Sequence, residues 1–481
     1  MRVTINWHPN PQLHQPLYQQ LVNYCLQEIE TGNWALGDQL PPQRELAAQL
    51  QVNRSTIGQA MAQLVDYGVV SGKRGGGTTI ISNTWSLMMK KAPVNWQEYI
   101  QSGHFKANLH TIQTINTHET QMPMRLSTGE LAPAFLPHQL FADALTRVGH
   151  RLQQLNYLEP QGLLALREQL AQRLQRWGIQ ASADTILITS GSLQALQLIS
   201  LSLLDEHATV YTETPTYLNS LQIFQSAGVH LRGLPLTRDG VAYWQLPQTE
   251  QQKLLYVIPS FQNPTGQVMT LKHRRELLAF ANRRQLPIIE DSAYQDLWFD
   301  THPPQPLKAL DDHGAVIYLG SSSKILAPGL RLGWVVAPRP IISRLADVKM
   351  QTDYGASSLS QLALAEILAN SDFDRYLVQT RTRLHQRAQA ALQSLQTYLA
   401  PYAKWQEPTG GFYIWLKLDP RIKIDALFDA ARAQGVLINP GDLYAFHHVQ
   451  AIRLSYAYAE PAAFAAGCRI LKQLIETQLT H

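Results

Sequence analysis

The sequence predicts a small helical domain that ends in a β-hairpin, followed by a large α/β domain built around a mostly parallel sheet. Near the N-terminus, three helical stretches precede two short strands that flank a glycine-rich turn. From Met124 onward, apolar strands alternate with helical stretches, an order that favours a parallel sheet covered by helices on both faces. The length of 481 residues is typical of two or three domains.

Composition narrows the class of protein. Hydrophobic residues make up 45% and charged residues 16%, which is enough apolar material for a large core and excludes a disordered chain. The net charge of +4 permits a nucleic-acid partner without requiring one. Two cysteines, Cys25 and Cys468, argue against a disulfide framework and for a reducing compartment. No apolar stretch approaches the ~20 residues that cross a bilayer, so we expect a cytoplasmic protein with no membrane partner.

The first 82 residues have the order of a winged helix-turn-helix domain. Apolar spacing predicts helices over 16–31, 42–50 and 53–67. Two short strands, 69–71 and 78–81, enclose the basic, glycine-rich turn Lys73-Arg74-Gly75-Gly76-Gly77. Three helices followed by such a hairpin are typical of winged DNA-binding domains.

Charge placement, rather than total charge, supports DNA binding. Five basic and five acidic residues balance within residues 1–83. Apart from Arg2, the basic residues fall at helix starts and in the hairpin, where a winged domain meets DNA. Any one of these arginines alone would be read as a solvated surface charge.

This region resembles the GntR-type DNA-binding domain over residues 13–82. The resemblance is carried by Leu40-Pro41-Pro42-Gln43-Arg44-Glu45-Leu46-Ala47, Val52-Asn53-Arg54-Ser55-Thr56-Ile57 and Gly68-Val69-Val70 with the wing. Gly58 stands where that family often has an arginine, so one expected phosphate contact is missing. The resemblance implies a double-stranded DNA operator as partner, contacted by Arg44, Arg54, Ser55, Thr56, Lys73, Arg74 and Gly75.

Residues 83–122 fit neither domain and are interpreted as an inter-domain linker. Aromatic and apolar residues such as Trp85, Trp96 and Phe105 make the segment too apolar for a flexible tether, and residues 95–102 could form a short helix. The second domain then covers 123–481.

Strands of the second domain are predicted at 185–189, 208–211, 254–258, 287–291 and 316–319. Ligands of parallel sheets bind at the carboxyl ends of the strands, and polar motifs lie at those ends here. Taken singly, each motif has an ordinary interpretation as a turn, a helix cap or a surface charge. These motifs are Thr189-Ser190-Gly191-Ser192, Asn263-Pro264-Thr265-Gly266, Asp291-Ser292-Ala293-Tyr294 and Ser321-Ser322-Ser323-Lys324.

Together the motifs suit pyridoxal 5'-phosphate. Lys324, after three serines and seven residues before Arg331, suits a Schiff-base lysine beside a phosphate-binding arginine. Asp291 suits the ring nitrogen, because a protonated pyridine is the stronger electron sink. Asn263 and Tyr294 suit the phenolic oxygen. The turn at Gly191 offers the free N–H groups of a helix N-terminus to the phosphate.

Residues 124–475 resemble class I aminotransferases, which have the α/β pyridoxal-phosphate-dependent transferase fold type I with a large and a small subdomain. The motifs Asn-Pro-Thr-Gly, Asp-x-Ala-Tyr, Ser-x-Ser-Lys, Pro-Gly-Leu-Arg-Leu-Gly and Ile452-Arg453-Leu454-Ser455 carry the resemblance. Leu193 replaces a frequent glutamine, so only its backbone role transfers. The resemblance implies a cofactor site formed by Gly191, Ser192, Leu193, Tyr217, Asn263, Asp291, Tyr294, Ser321, Ser323, Lys324 and Arg331. It also implies that Arg453 binds a carboxylate, and that Tyr157 reaches the partner's phosphate in a homodimer.

Both resemblances together match the MocR subgroup of GntR regulators. This implies a transcription factor that senses an amino compound or a B6 vitamer through aldimine chemistry at Lys324. The residues leave an alternative open, because those needed for transamination are present: an active aminotransferase with an accessory DNA-binding module. No metal site is expected, since no further ligands are spaced around the His447-His448 pair.

Overall fold

The structure is a computed structural model that describes residues 2–10, 12, 13, 15–31, 33–35, 37–73, 77–81, 110–248 and 252–480. The chain divides into two compact units, Met1–Lys106 and Ala107–His481. Among the described residues, no helix combines the length and apolarity that a membrane crossing needs. Within the same residues, no group of three histidine, cysteine or acidic side chains is placed to hold a metal ion.

The described part of the first unit contains three helices and a small antiparallel sheet. The helices are α1 (Leu17–Glu30), α2 (Gln43–Gln49) and α3 (Arg54–Asp66), each close to its predicted bounds. The strands β1 (Gln39–Leu40), β2 (Val70–Lys73) and β3 (Gly77–Ile80) pair in the order β1-β3-β2. Lys73 pairs with Gly77 at the end of the β2–β3 hairpin. The predicted winged arrangement is therefore present.

A continuous apolar core holds this unit together. Leu21 and Cys25 of α1 are fully buried, as are Ile57 and Leu64 of α3 in the same core. The core also takes in Val3, Ile5 and Trp7, which precede the predicted domain start at residue 13. Their alternation with polar residues places the three side chains on one face of an extended segment.

Residues 83–122, predicted as an inter-domain linker, fall into two parts, of which the structure describes only the second. Residues 82–109, including the helix predicted at 95–102, lie outside the described residues. Helix α4 (His110–His118) follows, and its Ile112 and Ile115 are buried in the core of the second unit. This part of the range is therefore a packed element of the larger unit.

A seven-stranded sheet forms the centre of the second unit. Its order is β5-β11-β10-β9-β8-β6-β7, and every strand runs parallel to the others except β11. The predicted mostly parallel sheet is confirmed. The strands are β5 (Ile186–Thr189), β6 (Thr209–Thr214), β7 (His230–Pro235), β8 (Lys253–Val257), β9 (Ile288–Asp291), β10 (Val316–Ser321) and β11 (Gly333–Val336).

Helices and smaller sheets surround this centre. An antiparallel sheet of order β12-β13-β16-β15 marks the small subdomain, and β4 pairs with β14. The minor strands are β4 (Met124–Arg125), β12 (Ala403–Lys404), β13 (Tyr413–Leu418), β14 (Val436–Leu437), β15 (Asn439–Pro440) and β16 (Ala451–Ser455). The helices are α5 (His138–Arg151), α6 (Leu164–Gln175), α7 (Ser192–Leu203), α8 (Leu218–Ser226), α9 (Leu271–Arg284), α10 (Arg339–Thr352), α11 (Ser358–Ala369), α12 (Asp372–Tyr398), α13 (Ile424–Ala433) and α14 (Pro461–Thr480).

The sheet brings the predicted motifs to one edge. Strands β5, β9 and β10 end at Thr189, Asp291 and Ser321, and the predicted polar motifs begin at those residues. Since these strands are parallel, their carboxyl ends share an edge. The candidate site therefore lies where parallel α/β sheets hold ligands.

Candidate cofactor site and DNA-facing surface

Lys324 lies at a polar cavity of about 200 Å³ in the second unit. Its Nζ donates a hydrogen bond of 2.7 Å to the carbonyl of Gly129. Asn263, Tyr294 and Arg453, which come from three separate motifs, line the same cavity. Asn263 and Arg453 alone are 190 positions apart along the chain, so the fold rather than the local sequence assembles the site.

Asp291 ends β9, and two donors hold its carboxylate. The Tyr256 hydroxyl donates to Oδ2 at 2.7 Å, and the Ala293 N–H donates to Oδ1 at 3.1 Å. Burial raises the pKa of Asp291, and this is opposed by both hydrogen bonds and by the positive charge of Lys324. A protonated pyridine nitrogen would supply the positive partner that such a desolvated carboxylate lacks.

Tyr294 and Tyr413 form a buried hydroxyl pair beside Lys324. Their oxygens are 2.9 Å apart, and both side chains are almost fully buried. Burial, followed by the neighbouring Tyr413, holds the pKa of Tyr294 well above its ordinary value. Tyr294 therefore stays protonated at neutral pH and can donate to an anionic oxygen such as a phenolate.

Arg453, on β16, is buried with only 4% of its surface exposed. Nη1 donates to Asn263 Oδ1 at 2.9 Å, and Nη2 donates to the Ser127 carbonyl at 2.5 Å. The guanidinium lies 4.1 Å from the ring centroid of Tyr413 and 5.0 Å from that of Tyr444. Its Nε has no hydrogen-bond partner among the described residues. A buried cation with neutral partners and a free donor is suited to an incoming carboxylate.

A phosphate-sized cradle lies at the start of α7. Gly191 precedes the helix with φ of +93°, and no side chain caps the helix. A Cβ on Gly191 would lie 3.2 Å from Arg331 Nη2, so glycine lets the guanidinium approach the free N–H groups. Ser321 is buried and its Oγ accepts from the Ser323 N–H at 3.1 Å. Helix N–H groups, a guanidinium and hydroxyls are the donors that bind phosphate.

Two predicted aromatic residues occupy different places. Tyr217 lines the Lys324 cavity. Tyr157 does not, and instead lines a separate hollow with 82% of its surface exposed and its ring centroid 5.5 Å from that of Tyr354. The side chain of Leu193 on α7 is exposed, which leaves only its backbone for the phosphate.

Several residues of the site were missed from the sequence. Tyr413 follows Gly410-Gly411-Phe412, a pair of glycines that could have drawn attention to it. Tyr256 lies inside an apolar strand, where nothing distinguishes it from a core tyrosine. Further residues that line the cavity and were not predicted are Ile112, Ile115, Asn116, Glu119, Ser127, Gly129, Glu130, Asn439, Leu443 and Tyr444.

The residues present fit pyridoxal phosphate. The cradle at Gly191 and Arg331 suits its phosphate, the desolvated Asp291 suits its ring nitrogen, and Tyr294 suits its phenolic oxygen. Lys324 and Tyr294 line one cavity, whereas Asp291, Gly191 and Arg331 are not among its lining residues, and the charge of Lys324 acts on Asp291. All four features match the chemistry of this one cofactor.

In the first unit, four of the seven residues predicted to contact DNA lie at the starts of α2 and α3. Arg44, Arg54 and Ser55 are exposed, and Thr56 is half-buried. Lys73 lies at the end of β2, although its side chain is not among those described, and Arg74 and Gly75 lie outside the described residues. Exposed Arg54 and Ser55 at the start of α3 leave that helix terminus open to phosphate.

Comparison with known families defines the class of protein. Residues 122–471 match the family described as "Aminotransferase class I and II", and residues 17–80 match "Bacterial regulatory proteins, gntR family". The chain therefore belongs to the class I and II aminotransferase family, with a GntR helix-turn-helix domain at its N-terminus. Its cofactor is pyridoxal phosphate. This is the MocR-type arrangement that the sequence predicted.

Relatives with this two-domain organisation are named transcriptional regulators. The chain is 43% identical to the uncharacterized HTH-type transcriptional regulator YisV of Bacillus subtilis, covering 96% of each chain. It is 33% identical to the HTH-type transcriptional regulator NorG of Staphylococcus aureus, covering 87% of this chain and 95% of NorG. The chain is thus a member of the GntR-type transcriptional regulators that carry an aminotransferase-like domain.

Solved aminotransferase structures match about four fifths of the chain. The kynurenine aminotransferase of Pyrococcus horikoshii is 31% identical with a TM-score of 0.74, covering 78% of this chain and 96% of that one. LysN, the α-aminoadipate aminotransferase of Thermus thermophilus complexed with N-(5'-phosphopyridoxyl)-L-leucine, is 29% identical with a TM-score of 0.73. This second match covers 80% of the present chain and 100% of LysN.

Proposed function

We propose that this regulator changes its DNA binding when an amino compound or a B6 vitamer binds at Lys324. The observation that carries the proposal is that Lys324 and Arg453 line one cavity. An incoming amine can take the place of the Lys324 side chain on the cofactor, and Arg453 can bind a carboxylate. A small molecule that offers both groups would engage both ends of the cavity at once.

The chain's own residues prepare this cavity. When bound, pyridoxal phosphate supplies an electrophilic carbon at which an amine is held covalently. Tyr256 and the Ala293 N–H orient Asp291 toward the ring nitrogen. Among the described residues, Lys324 Nζ donates to the Gly129 carbonyl, an uncharged partner.

Arg453 gives the cavity a preference for carboxylates. In the described chain it donates to the Asn263 amide oxygen and the Ser127 carbonyl, which are both neutral. A carboxylate would replace these neutral acceptors with an anionic one that can accept two parallel hydrogen bonds from the guanidinium. Glu119 and Glu130 line the same cavity and oppose a second negative charge on the effector.

The DNA-reading half of the proposal rests on the first unit. We propose that Arg44, Arg54, Ser55 and Thr56 contact a double-stranded operator together with the wing residues Lys73, Arg74 and Gly75. We further propose a homodimer in which Tyr157 completes the partner's phosphate site, since its side chain is exposed in the single chain. As a bacterial-type DNA-binding regulator, the protein is expected to work in the cytoplasm.

A second candidate function is transamination. The lysine, aspartate, tyrosine and arginine of the site are all present, and the second unit resembles a kynurenine aminotransferase at 31% identity. Turnover would require that the amino compound give up its amino group and leave as a carbonyl compound, and that a keto acid then accept that amino group. Steady-state assays with several amino donors and keto acids separate the two functions, because sensing needs only one round of binding.

The proposal is tested by measuring DNA affinity as amino compounds are added. The purified, cofactor-loaded protein is titrated onto labelled upstream DNA of neighbouring operons, with and without amino acids, amines and B6 vitamers. An effector should change the affinity for wild type and leave Lys324→Ala unaffected, whereas Arg54→Ala should bind DNA poorly in every condition. Rapid turnover combined with no specific DNA binding would refute the regulatory function and support the enzyme.

A further inference from the structure

The second unit contains another cavity, of about 370 Å³, that no part of the proposed function uses. Three tryptophans, Trp177, Trp298 and Trp334, line it together with Arg381 from α12. Lys324 does not line it, but the next residue, Ile325, does. A volume in this range is typical of small-molecule sites.

One of the residues that line this cavity carries an unused hydrogen-bond donor. Trp334 is 8% exposed, and its Nε1–H has no partner among the described residues. Trp334 lies on β11, paired with Gly320, and its indole covers that glycine so closely that a Cβ there would overlap the ring. A buried, unpaired indole N–H costs free energy, which an acceptor inside the cavity would recover.

A second donor comes from Arg381. Its guanidinium lies 3.7 Å from the ring centroid of Trp298, so it is held against an aromatic face. Within the described residues its hydrogen bond is a long one, 3.4 Å from Nη1 to the Asp296 carbonyl. Its remaining N–H groups are available to an acceptor that enters the cavity.

The arginine and aspartate side chains around the cavity carry one positive charge more than they carry negative charges. Asp374 Oδ1 accepts from both Arg173, at 2.9 Å, and Arg176, at 2.8 Å. Asp296 Oδ1 accepts from the Trp177 indole at 3.1 Å. Three guanidinium groups therefore face two carboxylates, and Arg381 is the cation without a carboxylate in hydrogen-bond contact among the described residues.

We propose that this cavity binds a small aromatic monocarboxylate. The carboxylate accepts hydrogen bonds from Arg381 and the Trp334 indole, and the ring packs among the tryptophan side chains. Such a ligand would contact Ile325, which follows Lys324 in the chain, and Trp334 on β11. The site is separate from the cofactor cavity and takes a ligand that needs no amino group.

Isothermal titration of the full, cofactor-loaded protein with benzoate tests this site. Benzamide lacks the negative charge of benzoate, and cyclohexanecarboxylate lacks its flat ring, so the two serve as comparison probes. Arg381→Gln and Trp334→Phe should each weaken benzoate binding by about tenfold or more, the usual effect of losing a hydrogen bond to a charged group. The matched control is Arg383→Gln on the same helix, because Arg383 also lies over an aromatic ring, at 4.3 Å, but does not line the cavity.

Each outcome bears on the proposal. Loss of binding in both cavity variants but not in Arg383→Gln, with benzamide and cyclohexanecarboxylate binding much more weakly than benzoate, supports it. Binding that is unchanged by Arg381→Gln yet lost in Arg453→Gln would place benzoate at the cofactor cavity and overturn it. Absence of benzoate binding to the wild type also overturns it. A crystal structure with benzoate separates direct contact from a folding defect if either variant is unstable.

Discussion

Replacing Glu213 by glutamine should change how the stability of the aminotransferase-like unit depends on pH. Glu213 lies on β6 with 1% of its surface exposed. Its Oε2 accepts from the Ile258 N–H at 3.2 Å and from Gln262 Nε2 at 3.1 Å. Burial, only partly offset by these two hydrogen bonds, raises the pKa of Glu213 from 4.5 to about 8, and the charge of Asp291 adds to the increase.

The sign of the effect follows from linkage. A carboxyl group whose pKa is higher in the folded state binds its proton more tightly there, so its contribution to stability is complete below pH 4.5. That contribution is lost as the pH rises toward about 8. A shift of this size corresponds to at most about 5 kcal/mol, and relaxation of the surroundings of the charged carboxylate reduces the expected loss of stability to about half of that. Glutamine keeps an acceptor for both donors and cannot ionise.

Urea unfolding at several pH values between 5 and 9, with saturating cofactor, measures the difference between Glu213→Gln and wild type. The two should be similar at pH 5, and the variant should become more stable by about 2 kcal/mol or more at pH 9. Glu206→Gln is the matched control, because the Glu206 side chain is 78% exposed and should show no such trend. Parallel stability curves for Glu213→Gln and wild type would show that Glu213 is ionised in the folded protein at neutral pH.

Three further changes test separate parts of the structure. Lys324→Ala should remove the absorbance at about 420 nm of lysine-linked pyridoxal phosphate. Lys349→Met, a change at another buried lysine, should keep that absorbance. If Lys324→Ala retained the band, another lysine would be the anchor. Arg54→Ala should weaken operator binding by about five- to tenfold and lower the salt dependence by about one counterion, and an altered cofactor spectrum instead would contradict the assignment to the DNA-binding unit. Gly162→Ala should destabilise the second unit by about 2 kcal/mol or more in thermal unfolding, because its φ is +96° and a Cβ would lie 2.6 Å from a side chain of β5. Gly149→Ala on α5 is the control, since a Cβ there meets open space and the change should be nearly neutral.

The meeting of the motifs at one edge of the sheet could be predicted because their residues lie in local motifs at strand ends. Lys324, Asp291 and Asn263 each lie at or just after the end of a strand, and parallel strands bring their ends to one edge. The same reasoning could not find Tyr413 or Tyr256. They lie inside strands of apolar pattern, and only their packing shows that the hydroxyls meet Tyr294 and Asp291.

Two kinds of strand were harder to predict from the sequence: an edge strand with exposed side chains and a strand whose direction is set by the preceding turn. Strand β7 lies at the edge of the sheet, and most of its side chains are exposed or half-buried, so no apolar run marks it. Strand β11 is apolar, but its antiparallel direction depends on the turn after Lys324 rather than on its own residues. The burial of Val3, Ile5 and Trp7 is visible as alternation in the sequence, yet too short to predict a packed segment.

The reversed strand β11 has a consequence for how the protein acquires its cofactor. Gly333 pairs with Thr189 of β5 on one side and Ser321 of β10 on the other. Strand β11 therefore joins the strand that precedes α7 to the strand that precedes Lys324, and a Cβ on Gly333 would lie 2.8 Å from the backbone of Gly191. A chain still being synthesised, or cut before β11, has no complete cradle, so tight retention of the cofactor would report that the whole sheet has assembled.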